Sequence, residues 1–214
     1  MQIIKKGMVI TMYEIILASG SPRRREIMET MGLPYRIISE NVKEETQETI
    51  PEEQVKALAR LKTRAVLPRV KEQLGDVAEY IIIGADTMVF YQGHALGKPK
   101  DEQDAARMLQ MLSNQLHEVY TGVNIIIGKQ DDHKEDISFA VCSKVSVRSL
   151  TQEQIRAYIA TGEPMDKAGA YAIQGKFGIY IKEISGDYYN IVGFPIAKIY
   201  DILLGYGIDL KNLK

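Results

Sequence analysis

The sequence predicts an α/β domain, and three observations carry that expectation. From Tyr13 onward, short apolar runs of strand character alternate with segments of helical periodicity. Tyr80-Ile81-Ile82-Ile83 is apolar on both faces, as a central strand covered on each side must be. Ile15-Ile16-Leu17 leads through Ala18-Ser19-Gly20-Ser21 into a helix start at Pro22, a strand–turn–helix unit. No repeat, low-complexity tract or Pro/Ser-rich linker divides the chain. Residues 13–214 therefore read as one domain. Residues 1–12 read as an N-terminal extension, with Met8 and Met12 as alternative starts.

The first unit is unusual at the helix start. Ser21 suits the N-cap and Pro22 the first helical position, and Gly32 stops the helix. Arg23, Arg24 and Arg25 then fill a first turn where the helix dipole and unpaired N–H groups favour anions. Three cations there repel one another unless something negative docks among them. With the Ser19 turn they make a candidate phosphate cradle; the alternative is three arginines pointing into solvent.

Tyr35-Arg36-Ile37-Ile38 reads as a second strand, and Ser39 to Ile50 as an acidic loop carrying Glu40, Glu44, Glu45 and Glu48. Pro51 opens a long helix with Glu52 and Glu53 in its first turn. Val55, Leu58, Ala59, Leu61, Ala65 and Val66 fall on one face, with Lys56, Arg60 and Arg64 opposite. Lys62 projects near the middle of the apolar face, so it must snorkel, pair with a buried acid or face a cleft. The strand at 80–83 is expected to end in a Gly84-Ala85 bend that leaves Asp86 just past its carboxyl end, where ligands bind in open α/β sheets. Met88 to Tyr91 reads as the next strand. Lys98 follows on a loop stiffened by Gly97 and Pro99, and Gly93-x-x-x-Gly97-Lys98-Pro99 is not a phosphate-binding P-loop, being one residue short with no Ser/Thr after the lysine.

Asp101 and Asp104 mark a helix with Ala105, Met108, Leu109 and Leu112 on one face. His117–Ile127 and Ile137–Val147 read as an antiparallel pair joined by a polar link through His133. Cys142 faces away from the apolar side of the second strand and reads as structural. Thr151 with Gln154 forms a capping box for a helix ending near Gly162. The stretch from Met165 to Gly178 carries three glycines, which let backbone approach a ligand, and Gln174, whose amide can read a base edge. A terminal helix carries Ile196, Ile199, Ile202 and Leu203.

Composition narrows the function classes. A formal net charge of −1 supplies no field for nucleic acid or anionic membrane, so a polyanion must be held locally. The absence of tryptophan, with only four phenylalanines, argues against a base-stacking RNA module. One cysteine excludes an intrachain disulfide and fits a reducing compartment, and no signal peptide or membrane span is visible, so a cytoplasmic location is expected. His94, His117 and His133 lack metal-ligand spacing. What remains is an arginine-lined helix start, Lys62, Asp86, Lys98 and an acidic loop with Glu44. That inventory suits phosphoryl chemistry on a nucleotide, with cations on phosphate oxygens and carboxylates around a divalent ion.

Several stretches in one order then resemble the Maf family of nucleoside triphosphate pyrophosphatases. They are Ala18-Ser19-Gly20-Ser21-Pro22-Arg23-Arg24, Gly84-Ala85-Asp86-Thr87, Leu96-Gly97-Lys98-Pro99, Tyr120-Thr121-Gly122-Val123, Asp166 to Gly175 and Gly186-Asp187-Tyr188-Tyr189-Asn190. The resemblance implies a long mixed sheet flanked by helices, with two lobes around a central cleft, as in the inosine triphosphate pyrophosphatases. It implies hydrolysis of a nucleoside triphosphate to monophosphate and pyrophosphate with Mg2+ or Mn2+, by a protein that is often a homodimer. By motif, Asp86 is the proton acceptor and joins Glu44 at the metal. Ser19, Arg24, Lys62 and Lys98 hold phosphate, and Arg23, Thr87 and Gln174 set the substrate. Arg23 with Thr87 is similar to the dTTP/UTP branch; the 7-methyl-GTP branch tends to carry a bulky apolar residue and a glutamine there. Ala172 and Phe194 depart from the commoner Gly and Leu. The family's association with septum formation supplies the alternative, a nucleotide-binding regulator without turnover.

Overall fold

The computed structural model describes residues 3–5 and 8–10 as backbone, and 13–74, 79–128 and 134–213 in full. The link at 129–133, with His133, lies outside the described residues. Within the extension, Ile3–Lys5 (β1) and Met8–Ile10 (β2) pair antiparallel as a ribbon separate from the main sheet.

The main sheet is built on Glu79–Tyr91 (β5). On one side β5 pairs parallel with Tyr13–Leu17 (β3), which pairs parallel with Arg36–Ile37 (β4). On the other side it pairs antiparallel with Leu116–Gly128 (β7), then Lys134–Val147 (β8) and Ile181–Ser185 (β9). His94–Leu96 (β6) folds back onto the far end of β5. The helices are Pro22–Thr30 (α1), Pro51–Leu74 (α2), Glu102–Leu112 (α3), Gln152–Ile159 (α4), Tyr188–Val192 (α5) and Ile196–Gly205 (α6). None of the described helices is long and apolar enough to cross a membrane.

Strand alternation distributes the core. Ile15, Leu17, Ile81 and Ile83 face α1 and α6, meeting Ile27, Met28, Ile199 and Leu203. Ile16, Ile82 and Ile126 face α2, meeting Val66 and Val70. At the other end of the long strands, Val89, Val119 and Val145 pack against α3 and α4. The long strands thus run through two lobes with separate apolar centres.

Two sequence expectations fail here for one reason. The expected strands at 80–83 and 88–91 are a single strand, and Asp86 lies inside it rather than past its end. Gly84 makes no bend. A Cβ there would stand 2.6 Å from Thr63 Cγ2 and 3.0 Å from the Ala59 carbonyl oxygen, so the glycine makes room for α2. Gly122, opposite Asp86 on β7, does the same more tightly: its Cβ would lie 2.2 Å from the Val55 carbonyl carbon. This close approach rotates Thr63 into the interface, fully buried, and leaves the expected core residue Leu61 40% exposed. At the other helix ends, Thr151 and Gln154 form the full capping box and Asp101 caps α3. Ser21 stands at the α1 N-cap, yet its side chain makes no capping bond.

Candidate active site

The cleft is a gap in the sheet. Pairing of β3 with β5 stops at Leu17 and Ile83, with one further bond from the Ala18 amide to the Ile83 carbonyl at 2.9 Å. Pairing of β6 begins only at Val89 and Leu96. Between them Asp86 and Thr87 of β5 open onto a cavity of about 640 Å³. The 18–24 turn, the acidic loop, Lys98 and the glycine-rich stretch enclose it. The cavity lies at the carboxyl end of β3, where ligands bind in such sheets. β5 simply continues past that point because its partner on the far side is the long strand β7.

Asp86 and Lys62 face each other across the α2 interface. Lys62 Nζ donates to Asp86 Oδ1 at 2.6 Å and also meets Glu44 Oε1 at 2.9 Å. Of the open outcomes for Lys62, the structure takes two: it pairs with a buried acid and it faces the cleft. The Lys62 and Asp86 side chains are 14% and 9% exposed, whereas Glu44 is 55% exposed. The inner pair is thus the fixed one, and the Glu44 contact is water-screened and weak alone. Among the described residues no group of three His, Cys, Asp or Glu side chains could hold a metal, so Glu44 and Asp86 stand as a pair joined through Lys62.

Arg24 is buried, unlike an ordinary helix-start arginine. Its Nε donates to the Gly193 carbonyl at 2.8 Å, Nη1 to Ser19 Oγ at 3.0 Å and Nη2 to Thr87 Oγ1 at 3.2 Å. Burial pushes its guanidinium below the ordinary arginine range, and the field of Asp86 works against that shift. Gly193 has φ 111°, and a Cβ there would stand 2.9 Å from Thr87 Oγ1, so only glycine fits this corner. The hydroxyl protons in this chain can be assigned. Thr121 Oγ1 donates to the Asn190 carbonyl at 2.8 Å, so in its 3.0 Å contact with Thr87 it must accept. Thr87 therefore gives its only proton to Thr121 and faces the cleft as an acceptor. Ser19 Oγ accepts from Arg24 and, at 3.2 Å, from the Ser21 amide, which leaves its own proton to donate.

The remaining predicted residues share the same cleft. Arg23 is half-buried in its wall, Lys98 is exposed at its rim, and Gln174 is exposed on the opposite loop. Arg25, read as solvated in one alternative, is half-buried with its Nε enclosed and without a hydrogen-bond partner. Asp166 and Lys167, which the sequence marks only as part of a motif, also line the cleft, as does Glu163, which sequence reasoning passes over. Asp166 bonds Lys167, and that bond holds its carboxyl below the usual range. Glu163 follows Gly162, read only as a helix stop, and nothing local marks its role. The inner wall toward the second lobe is apolar, with Val89, Val119, Tyr171 and Ile191. One end of the cleft is thus cationic and polar, the other suited to a flat ring.

Residues 14–205 match the family model described as Maf-like protein. A Lachnoclostridium phytofermentans protein described as dTTP/UTP pyrophosphatase is 47% identical over 199 residues, covering 93% of this chain and 98% of that one. A Thermococcus onnurineus protein of the same description is 46% identical over 195 residues, covering 91% and 99%. The solved structure of the Staphylococcus aureus Ham1 protein aligns with 90% of this chain and 99% of its own, at 16% identity and a TM-score of 0.43.

Proposed function

The chain belongs to the Maf family, and from that premise we propose that it hydrolyses dTTP and UTP to the nucleoside monophosphate and pyrophosphate. The observation that carries the reading is the buried Asp86 carboxylate, held at 2.6 Å by Lys62 on the open edge of β5, beside a cationic wall. The descriptions of the relatives supply the substrate.

The chemistry divides among the chain's own residues. Water attacks the α-phosphorus in line. A new P–O bond forms, the α–β bridging bond breaks, and pyrophosphate departs with the electron pair. Asp86 accepts the water's proton, with its carboxylate oriented by Lys62. Lys62 and Lys98 bind the triphosphate oxygens and offset the growing charge on the leaving group, and Arg23 takes part in selecting the substrate. Three N–H groups of Arg24 are committed to protein acceptors, and its other two, with the Ser19 hydroxyl, complete the cradle. The ring lies toward Val89 and Tyr171. A thymine or uracil edge presents one N–H between two carbonyls; Thr87 can only accept from it, while Gln174 can both donate and accept.

The donor set fits a divalent ion. Two carboxylates from different elements already converge on one cation, the Lys62 ammonium. A carboxylate pair completed by phosphate and water oxygens is a common environment for Mg2+ or Mn2+. Glu44 and Asp86 would hold the ion, which supplies Lewis acidity and charge neutralisation.

The test is pyrophosphate release from UTP with Mg2+ or Mn2+. Asp86→Asn should lower kcat by about 100-fold or more while UTP binding persists. A wild-type protein that binds UTP without releasing pyrophosphate would instead be a regulator.

A further inference from the structure

Glu163 and Tyr158 take no part in the chemistry above, yet they hold both ends of one loop of the cleft. The Tyr158 hydroxyl donates to Glu163 Oε1 at 2.8 Å and accepts from the Ala172 amide at 3.4 Å. Glu163 Oε2 accepts from the Lys176 amide at 3.1 Å. Gln174 stands midway between those two amides. We propose that the Tyr158–Glu163 pair is a positioning clamp that sets the 172–176 loop, and hence Gln174, for discrimination of the nucleotide base.

Three features support it. First, the chemistry is matched at every contact. A carboxylate only accepts, and both of its partners here donate; the tyrosine donates once and accepts once. Second, the loop is seated against the clamp. A Cβ at Gly175 would stand 2.5 Å from Glu163 Oε1, so a side chain there would push the carboxylate out of its place against the loop. Phe177, just beyond, is buried with ring centroids 5.0 Å from Tyr158 and 4.9 Å from Tyr171. Third, the clamp is itself fixed. The Thr161 hydroxyl donates to the Tyr158 carbonyl at 2.7 Å and accepts from the Glu163 amide at 3.3 Å, closing the turn after α4. Burial and the neighbouring Glu163 both push the Tyr158 phenol up, which keeps its proton available for donation. An exposed glutamine on an unpinned loop would sample many orientations; pinning the backbone on both sides limits them before the base arrives.

The inference rests on the proposed role of Gln174 in base selection, and its test does not need turnover. UTP and CTP analogues with an α,β-methylene bridge measure discrimination as a ratio of Kd values. Amide exchange of residues 172–176 measures the clamp directly. Tyr158→Phe removes the donor and the acceptor together. Glu163→Gln leaves one oxygen acceptor and turns an N–H toward a donor. Both variants should speed exchange at Ala172 and Lys176 about tenfold or more and lower the UTP preference about fivefold. Gln174→Ala should lower the same ratio, and Tyr158→Phe added to it should lower it no further. Unchanged exchange overturns the clamp. Faster exchange with an unchanged ratio, an additive double variant, or wild-type protein that does not distinguish the two analogues overturns the positioning role. Wild-type protein that distinguishes them but releases no pyrophosphate from UTP contradicts the hydrolase reading and leaves the clamp supported.

Discussion

Lys62 was visible in the sequence as an error of phase, a cation on an apolar helix face, and its partners were not. One ammonium serves Asp86 and Glu44, and Asp86 would stay enclosed without it. Lys62→Met should therefore lower kcat for UTP about 100-fold, measured by pyrophosphate release, and an unchanged kcat would remove Lys62 from the chemistry. Arg24 offers a different test, because it is buried and its three bonds tie the 18–24 turn to Gly193 and Thr87. Lysine keeps the charge and loses the planar fork. Arg24→Lys should cost on the order of 2–3 kcal/mol of stability in denaturant unfolding and should slow UTP hydrolysis as well. The arginine-loaded turn was legible because it breaks a local rule. The division of labour within it was not, since Gly193 and Thr87 lie far along the chain.

Helix α2 carries Lys62 to its place by lying almost directly on the strands, and two glycines permit it. Gly122→Ala would drive a methyl into the Val55 backbone, so α2 must shift. The expected cost is about 1–3 kcal/mol, with lower kcat because Lys62 leaves Asp86. Gly20→Ala is the control: nothing lies within 4 Å of a Cβ there, and stability should be unchanged. Equal unfolding midpoints for the two variants would contradict this account of α2. Periodicity found the helices, and Asp101 and Thr151 marked the caps of α3 and α4, because those signals are local. It misplaced Leu61 and did not single out Thr63, because the depth at which a helix sits depends on glycines in strands far away in sequence. For the same reason Asp86 was read as standing beyond a strand that in fact continues beneath α2.

Across the whole molecule, the cleft is a gap between two lobes, and a gap in pairing leaves no local mark on β5. Its inner wall is tied by His117 of β7, whose Nε2 meets the Tyr171 hydroxyl at 2.7 Å. Burial pushes His117 down to about 4 from an ordinary 6.5, and its Nδ1 has no partner. The folded state thus prefers the neutral ring. Well above pH 6.5 His117 is neutral in both states and its contribution to stability is flat. Between 6.5 and about 4 the unfolded chain binds a proton that the folded chain refuses, so stability falls as pH falls. The loss should approach the order of 3 kcal/mol, and denaturant unfolding of His117→Gln across this range should lack that component. An identical pH dependence in the variant would rule His117 out as its source.

The site of water's attack decides the reaction. Hydrolysis of UTP in 18O-water, followed by mass spectrometry of the products, reads that point directly. Attack on the α-phosphorus beside Asp86 predicts the label in UMP, with unlabelled pyrophosphate. Label in pyrophosphate, or release of orthophosphate as the first product, would contradict it.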